Sequence, residues 1–184
     1  MAYVSRAEGK LAGFVREARV DFRGATVLDI GSSTGGWTEF ALASGASRVI
    51  AVEKGTRQMK APLRFDPRVE LHEKTDIFEF DPGVSLDIVL ADVSFVSLRD
   101  VLTRARELAT SKTKFLVLLK PQFEAEEVQL VEGVVKNEKM RREIVRDFEG
   151  WLRSTGFVVQ AKRDSEVRGR HGNLERLYLL QIAR

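Results

Sequence analysis

Two charged residues stand where apolar runs stop. Asp92 ends the run Leu86-Asp87-Ile88-Val89-Leu90-Ala91, and Lys120 ends the almost wholly apolar run from Thr113 to Leu119. If both runs are strands of a parallel sheet, both charges fall on its carboxyl edge, where such sheets bind ligands. Pro121 stops the second run and fixes its exit. A lysine there can bury its stem and aim its amine at a cleft; the bland alternative is a snorkelling lysine paired with Asp92. A second constellation lies upstream. Asp29 sits in Thr26-Val27-Leu28-Asp29-Ile30, and Gly31, Gly35 and Gly36 follow before a helix begins at Trp37. Glycines let the backbone turn sharply and come close to a ligand. Glu53 ends the next β-branched run, Arg48 to Glu53, 24 residues after Asp29. An acid at that place suits a bidentate grip on two ribose hydroxyls.

The turn is not a P-loop, because no Lys-Ser/Thr follows the glycines, and not a clean G-x-G-x-x-G, which disfavours a nicotinamide cofactor. An acid ahead of the turn suits a ligand bearing a positive amino group. Asp29, the glycines, Glu53 and a third acid, Asp76, together fit S-adenosylmethionine; without those acids the stretch would read as an ordinary tight turn between strand and helix.

These residues need a scaffold. The chain has 184 residues, enough for one domain with its own core. At 43% hydrophobic and 31% charged residues it reads as soluble and folded. No apolar run approaches the ~18 residues of a membrane span, and the first residues lack the apolar core of a secretory signal, so a cytoplasmic location without membrane contact is expected. There are no cysteines and only two histidines, His72 and His171. Disulfides, thiolate chemistry and a histidine-rich metal centre are thereby removed, and no metal is expected. Net charge is +3, a mild hint of an anionic partner.

Helical spacing places Leu11, Phe14, Val15 and Ala18 on one face of residues 5–19, with Ser5 as N-cap and Glu8 as its capping-box partner. Strands are expected over 26–30, 48–53, 69–72, 86–92 and 113–119, and helices over 37–43, 97–109 and 137–155. Residues 156–159 and 177–180 read as a closing hairpin around a long arm, 163–173. Phe123 to Lys136 reads as a loop. Strand–helix alternation closed by a hairpin gives an α/β sheet covered on both faces. The tail from Lys162 to Arg184 carries six basic residues against three acids. With Arg6, Arg16, Arg19 and Arg23 it could form a basic rim that holds phosphates, although for any single arginine a solvated surface is the simpler reading.

Several blocks resemble a known family. Tyr3-Val4-Ser5-Arg6 with Lys10, the run from Leu28 to Thr38, Asp92-Val93-Ser94-Phe95-Val96-Ser97-Leu98 and Lys120-Pro121-Gln122-Phe123-Glu124 closely resemble the TlyA (haemolysin A) family. Its members are similar to FtsJ-type 2′-O-ribose methyltransferases acting on ribosomal RNA. The resemblance spans almost the whole chain. It implies a Rossmann-like class I methyltransferase fold, with a mostly parallel seven-stranded sheet and an antiparallel C-terminal hairpin, over a single domain, 1–184. It implies a Lys-Asp-Lys-Glu tetrad on Lys10, Asp92, Lys120 and Glu175. It carries over a cofactor set of Asp29, Gly31, Ser33, Thr34, Gly35, Gly36, Trp37, Glu53, Asp76, Ile77 and Asp92, with Arg6, Arg168 and Arg170 toward RNA. Lys120 is the expected base or orienter of the hydroxyl. Lys10 beside it would favour the neutral amine and the acids the ammonium, so the carboxylates are read as positioners. Phe95 and Phe123 fit either nucleobase stacking or the cleft wall. Ribosomal subunits are the expected partner. The family usually carries an S4-type RNA-binding domain ahead of the Tyr-Val-Ser-Arg motif, and this chain begins two residues before it. Two other functions compete: a non-catalytic RNA-binding or ribosome-assembly protein on the same fold, and a methyltransferase with a small-molecule acceptor.

Overall fold

The structure, a computed structural model, describes residues 6–169 and 171–183, with side chains from residue 11 onward. The expected cap at Ser5 and the side chains of Arg6, Lys10 and Arg170 lie outside the described residues.

Among the described residues, seven strands form one sheet. Four parallel strands come first: β1 (Thr26–Ile30), β2 (Arg48–Glu53), β3 (Val69–Glu73) and β4 (Ile88–Ala91). β5 (Lys114–Leu119) completes the parallel part. A two-stranded ribbon, β6 (Leu130–Val131) and β7 (Val134–Val135), stands apart from the sheet. β8 (Phe157–Asp164) and β9 (Arg176–Ile182) form the closing hairpin, and β9 enters antiparallel between β5 and β8. The spatial order is β3-β2-β1-β4-β5-β9-β8. Chain direction across the sheet therefore reverses between β1 and β4, the position at which doubly wound sheets open a crevice.

Alternate residues of each strand feed opposite faces. Val27, Ile88, Leu90, Leu116 and Leu118 pack with Leu11 and Phe14 of α1 (Arg6–Glu17) and with Trp37 and Phe40 of α2 (Gly36–Ala43). Leu28, Val89, Phe115 and Val117 pack with Val101 and Leu102 of α4 (Leu98–Glu107) and Phe148 and Leu152 of α5 (Glu138–Ser154). A short helix, α3 (Ala61–Arg64), lies ahead of β3. The two long outer helices start on side-chain caps: Ser97 accepts Arg99 N at 3.1 Å, and Asn137 accepts Met140 N at 3.0 Å. α5 stops at Gly156, whose φ of 78° is the left-handed turn that ends many helices.

Two expectations change. Phe123 to Lys136 is not a plain loop: it holds two 3-10 turns and the β6–β7 ribbon. The hairpin strands are longer than expected and the arm between them shifts to 165–175, because β8 runs on to Asp164 and β9 starts at Arg176.

Gly31 sits where the exits of β1 and β4 meet. Its φ is 77°, and a Cβ there would lie 3.2 Å from the Asp92 carbonyl oxygen and 3.3 Å from Val93 Cγ1. Gly31→Ala should therefore lose about 1–3 kcal/mol of stability. Urea unfolding measures this, and an unchanged midpoint would show that the two exits do not constrain each other.

Candidate active site

The turn after β1 is knitted to β2. Gly31 N and Ser32 N both donate to Val52 O, at 2.9 and 3.3 Å. Ser33 is left-handed at φ 47°, which turns its N–H toward Glu53 Oε2 at 2.8 Å. The other oxygen of Glu53 accepts Gly55 N at 2.7 Å. Each carboxylate oxygen thus carries one hydrogen bond and keeps a second acceptor position, which suits a pair of ribose hydroxyls. Ser33 and Thr34 are exposed on the turn, whereas Gly35, Gly36 and Trp37 are buried. Residues after β2 fold back over this turn. Gln58 accepts Ser33 Oγ at 3.1 Å, and Met59 and Leu63 close on Gly35 so tightly that a Cβ there would overlap Leu63. This strap was not legible in the sequence.

Asp29 lies beneath the turn, not on its surface. Its side chain is fully enclosed, and Oδ2 accepts Thr38 Oγ1 at 2.5 Å, tying α2 to β1. Oδ1 is buried with no hydrogen-bond partner. The carboxylate therefore supports the turn from below through one oxygen and leaves the other unpartnered beneath it. Trp37 and Ile77 are likewise packed into the core. Asp76 follows β3 in a turn held to Glu53 through Thr75 N, which donates to Glu53 O at 3.1 Å. Lys54 Nζ lies 2.9 Å from Asp76 Oδ2, and that ammonium, with the N–H of Phe78, holds the Asp76 carboxyl below its ordinary range.

On the other side of the reversal, Lys120 Nζ lies 2.8 Å from Asp92 Oδ1 and donates to Ser94 Oγ at 2.8 Å. The contact with Asp92 lacks hydrogen-bond alignment, so that pair is held by charge and the directed bond goes to Ser94. The lysine is paired with Asp92, as the blander reading allowed, and that pair stands at the carboxyl edge of the parallel strands. Glu175 directly precedes β9, and Arg176 pairs with Leu119 at the end of the β5–β9 ladder, so Glu175 lies at the same end of β5 as Lys120. Glu175 is 2% exposed, and its carboxylate fills the space that a side chain at Gly169 would need. Lys10 lies on α1. Ser94, the amine's hydroxyl partner, is a loop serine and carries no periodic signal in the sequence that would mark it.

Phe95 follows directly. It is 93% exposed, left-handed at φ 65°, and its ring lies 5.3 Å from that of Phe123. Arg168 is exposed on the arm and donates to Gly172 O at 2.9 Å. The basic rim is thinner than its residue count implies, since Arg23 pairs with Asp21, Arg163 with Glu17 and Arg176 with Asp164. Among the described residues no group of three or more His, Cys, Asp or Glu could hold a metal ion, and no helix is long and apolar enough to cross a membrane.

A sheet that reverses at β1 and β4, with an acid-glycine turn on one side of the reversal and a lysine–aspartate pair on the other, defines a Rossmann-like methyltransferase fold. The FtsJ-like methyltransferase family model matches residues 3–182, and the chain belongs to that family. It is 34% identical over 178 residues to the 23S rRNA (cytidine-2′-O)-methyltransferase TlyA of Campylobacter jejuni, covering 96% of this chain and 70% of that protein. It is 35% identical over 178 residues to the 16S/23S rRNA (cytidine-2′-O)-methyltransferase TlyA of Mycobacterium tuberculosis, covering 95% of this chain and 66% of that protein. A solved structure of a candidate hemolysin from Streptococcus thermophilus superposes with a TM-score of 0.94 at 31% identity, over all of this chain and 68% of that one. The chain thus spans about two thirds of these relatives.

The enclosed Asp29 gives a pH signature. Burial pushes its carboxyl up to about 7; the Thr38 hydrogen bond works against this, and the charges of Asp92 and Glu53 add to it. Its unfolded value is near ~3.9, so between about pH 4 and 7 the folded state holds the extra proton and stability falls as pH rises. Asp29→Asn keeps an acceptor for Thr38 and removes the titration. Its melting temperature should decline less than that of the parent across this window. Parallel curves would show that Asp29 stays charged.

Proposed function

We propose that the protein binds S-adenosylmethionine at the 31–36 turn and methylates a ribose 2′-hydroxyl of RNA, with ribosomal RNA as substrate and ribosomal subunits as partner, in the cytoplasm. The reading covers residues 1–184 as one FtsJ-like domain. The observation that carries it is the Lys120 amine at the end of β5, 2.8 Å from Asp92 and from Ser94, whose shared loop packs against Gly31 through the Asp92 carbonyl. The known activities of the two TlyA relatives support the choice of acceptor.

The cradle fits the cofactor on three counts. Gly31 and Gly35 hold positive φ, Glu53 keeps free acceptor positions, and Asp29 Oδ1 is a buried oxygen without a partner beneath the turn. When bound, S-adenosylmethionine supplies an electrophilic methyl group on a sulfonium. Glu53 takes the ribose hydroxyls, Ser33, Thr34 and the glycines offer backbone to the methionine portion, and Asp76 and Ile77 border the adenine side. Gly36 and Trp37 carry the turn into α2.

Methyl transfer needs alignment more than acid catalysis. Lys120 orients the incoming 2′-hydroxyl, and its unprotonated amine, not the ammonium, takes the hydroxyl proton as the oxygen attacks. Asp92 and Ser94 fix the amine from one side and Glu175 from the other, and Lys10 on α1 completes the set. Phe95, projecting into solvent beside the amine, offers a stacking face to the target nucleobase, backed by Phe123. Arg6, Arg168 and Arg170 supply phosphate contacts.

Transfer of labelled methyl from S-adenosylmethionine to ribosomal RNA tests this reading. Lys120→Ala should lose about 10²–10⁴-fold in transfer rate, the range of a positioned proton acceptor. Its affinity for the cofactor, measured by calorimetry, should stay close to that of the parent. Equal turnover by the variant would remove Lys120 from the reaction.

A further inference from the structure

Two loops carry the reacting groups, and they are joined at three levels. At the cleft, Lys120 meets Asp92 and Ser94, each at 2.8 Å. Midway, the rings of Phe95 and Phe123 touch at 51°. At the base stands Glu124, whose Oε1 accepts Leu98 N at 2.6 Å and whose Oε2 accepts Ser97 Oγ at 2.8 Å, with Arg99 Nε at 3.4 Å. The Glu124 side chain is only 3% exposed.

A buried carboxylate is a demanding way to begin a helix. Burial pushes its carboxyl above the ordinary range, against the hydrogen bonds of Leu98 N and Ser97. The cap alone does not require it, because Ser97 already accepts Arg99 N at the start of α4. What Glu124 adds is a tie to another segment. It stands four residues after Lys120, at the end of a 3-10 turn opened by Pro121 and closed by Phe123 N to Lys120 O (2.9 Å) and Glu124 N to Pro121 O (3.1 Å). Ser97 stands five residues after Asp92. The stretch between Asp92 and Ser97 includes the left-handed Phe95, a conformation that a bulky residue keeps only where its surroundings over-determine it.

We propose that Glu124 is a positioning residue for methyl transfer: by lashing the start of α4 to the turn after β5, its carboxylate fixes Asp92 and Ser94 against the Lys120 amine. The role in transfer rests on the reading of Lys120 given above; the clamp itself does not.

The test reads the amine directly. The parent protein, Glu124→Ala and Glu124→Gln are exposed briefly to an acylating reagent well below their melting temperatures, and labelling of each lysine is followed by mass spectrometry. Glu124→Ala should label several-fold faster at Lys120, with the exposed Lys112 unchanged as control. Glu124→Gln, which keeps an acceptor for Leu98 N and the same shape, should restore the parent rate. Should the alanine variant fail to fold, Ser97→Ala removes one of the carboxylate's partners and should raise Lys120 labelling by a smaller factor. Parent-like labelling of Lys120 in a folded alanine variant, or no restoration by glutamine, overturns the clamp. In the transfer assay, Glu124→Ala should lower kcat by about tenfold to 10²-fold, as expected for a misplaced reacting group, with KM for S-adenosylmethionine little changed. Loss of labelling control without any transfer by the parent would sink the proposed activity and leave the clamp standing.

Discussion

An ammonium held at the end of a fully buried strand is the constraint from which the rest of the site follows. Leu116 to Leu119 are inaccessible, so the chain can leave β5 only by turning, and Pro121 fixes how it turns. The charge at Lys120 cannot follow the strand into the core. It needs an anion at the edge, and β4, the parallel neighbour, delivers Asp92 there. A lone exposed ion pair is worth little, but this one is mostly shielded and braced by Ser94. The glycine turn, the strap of Gln58, Met59 and Leu63, and the hairpin arm that brings Glu175 are all arranged about that edge.

The reversal of chain direction explains why the two halves of the site meet. β1 and β4 are neighbours in space but far apart in sequence, and their exits diverge to opposite faces. At the point of divergence only a residue without a side chain fits beside the Asp92 carbonyl, and Gly31 occupies it. One acid, Asp29, fastens α2 to the sheet through Thr38, while Glu53 accepts the N–H groups of Ser33 and Gly55. Burial thus separates two carboxylates of one edge: Asp29 is enclosed, and Glu53 is only half-buried.

Much of this was legible in the sequence because the physics there is local. A charge that ends an apolar run, glycines between a strand and a helix, and the period of α5 each state their own geometry, and the structure places Asp92, Lys120, Gly31 and Glu53 on one edge as expected. What stayed hidden depends on contacts between distant segments. Glu124 and Ser94 are polar letters in irregular loops, and nothing near them announces a partner some 26 positions away. The strap over Gly35 has no repeat or turn signature. The β6–β7 ribbon had a signal that was masked: Glu132 and Gly133 are both left-handed, the geometry of a type I′ hairpin, but a glutamate at the first position conceals what Asn-Gly or Asp-Gly would declare. Asp29 was read for its charge, and only the fold shows that it is enclosed.

The position of the transferred methyl group tests the central claim most directly. Ribosomal RNA that has received label from S-adenosylmethionine is hydrolysed completely in alkali and its products are separated. A methyl on the ribose 2′-oxygen blocks cleavage of the adjoining linkage, so the account predicts that the label migrates with alkali-resistant dinucleotides. Label recovered only in mononucleotides, as methylated bases, would contradict it.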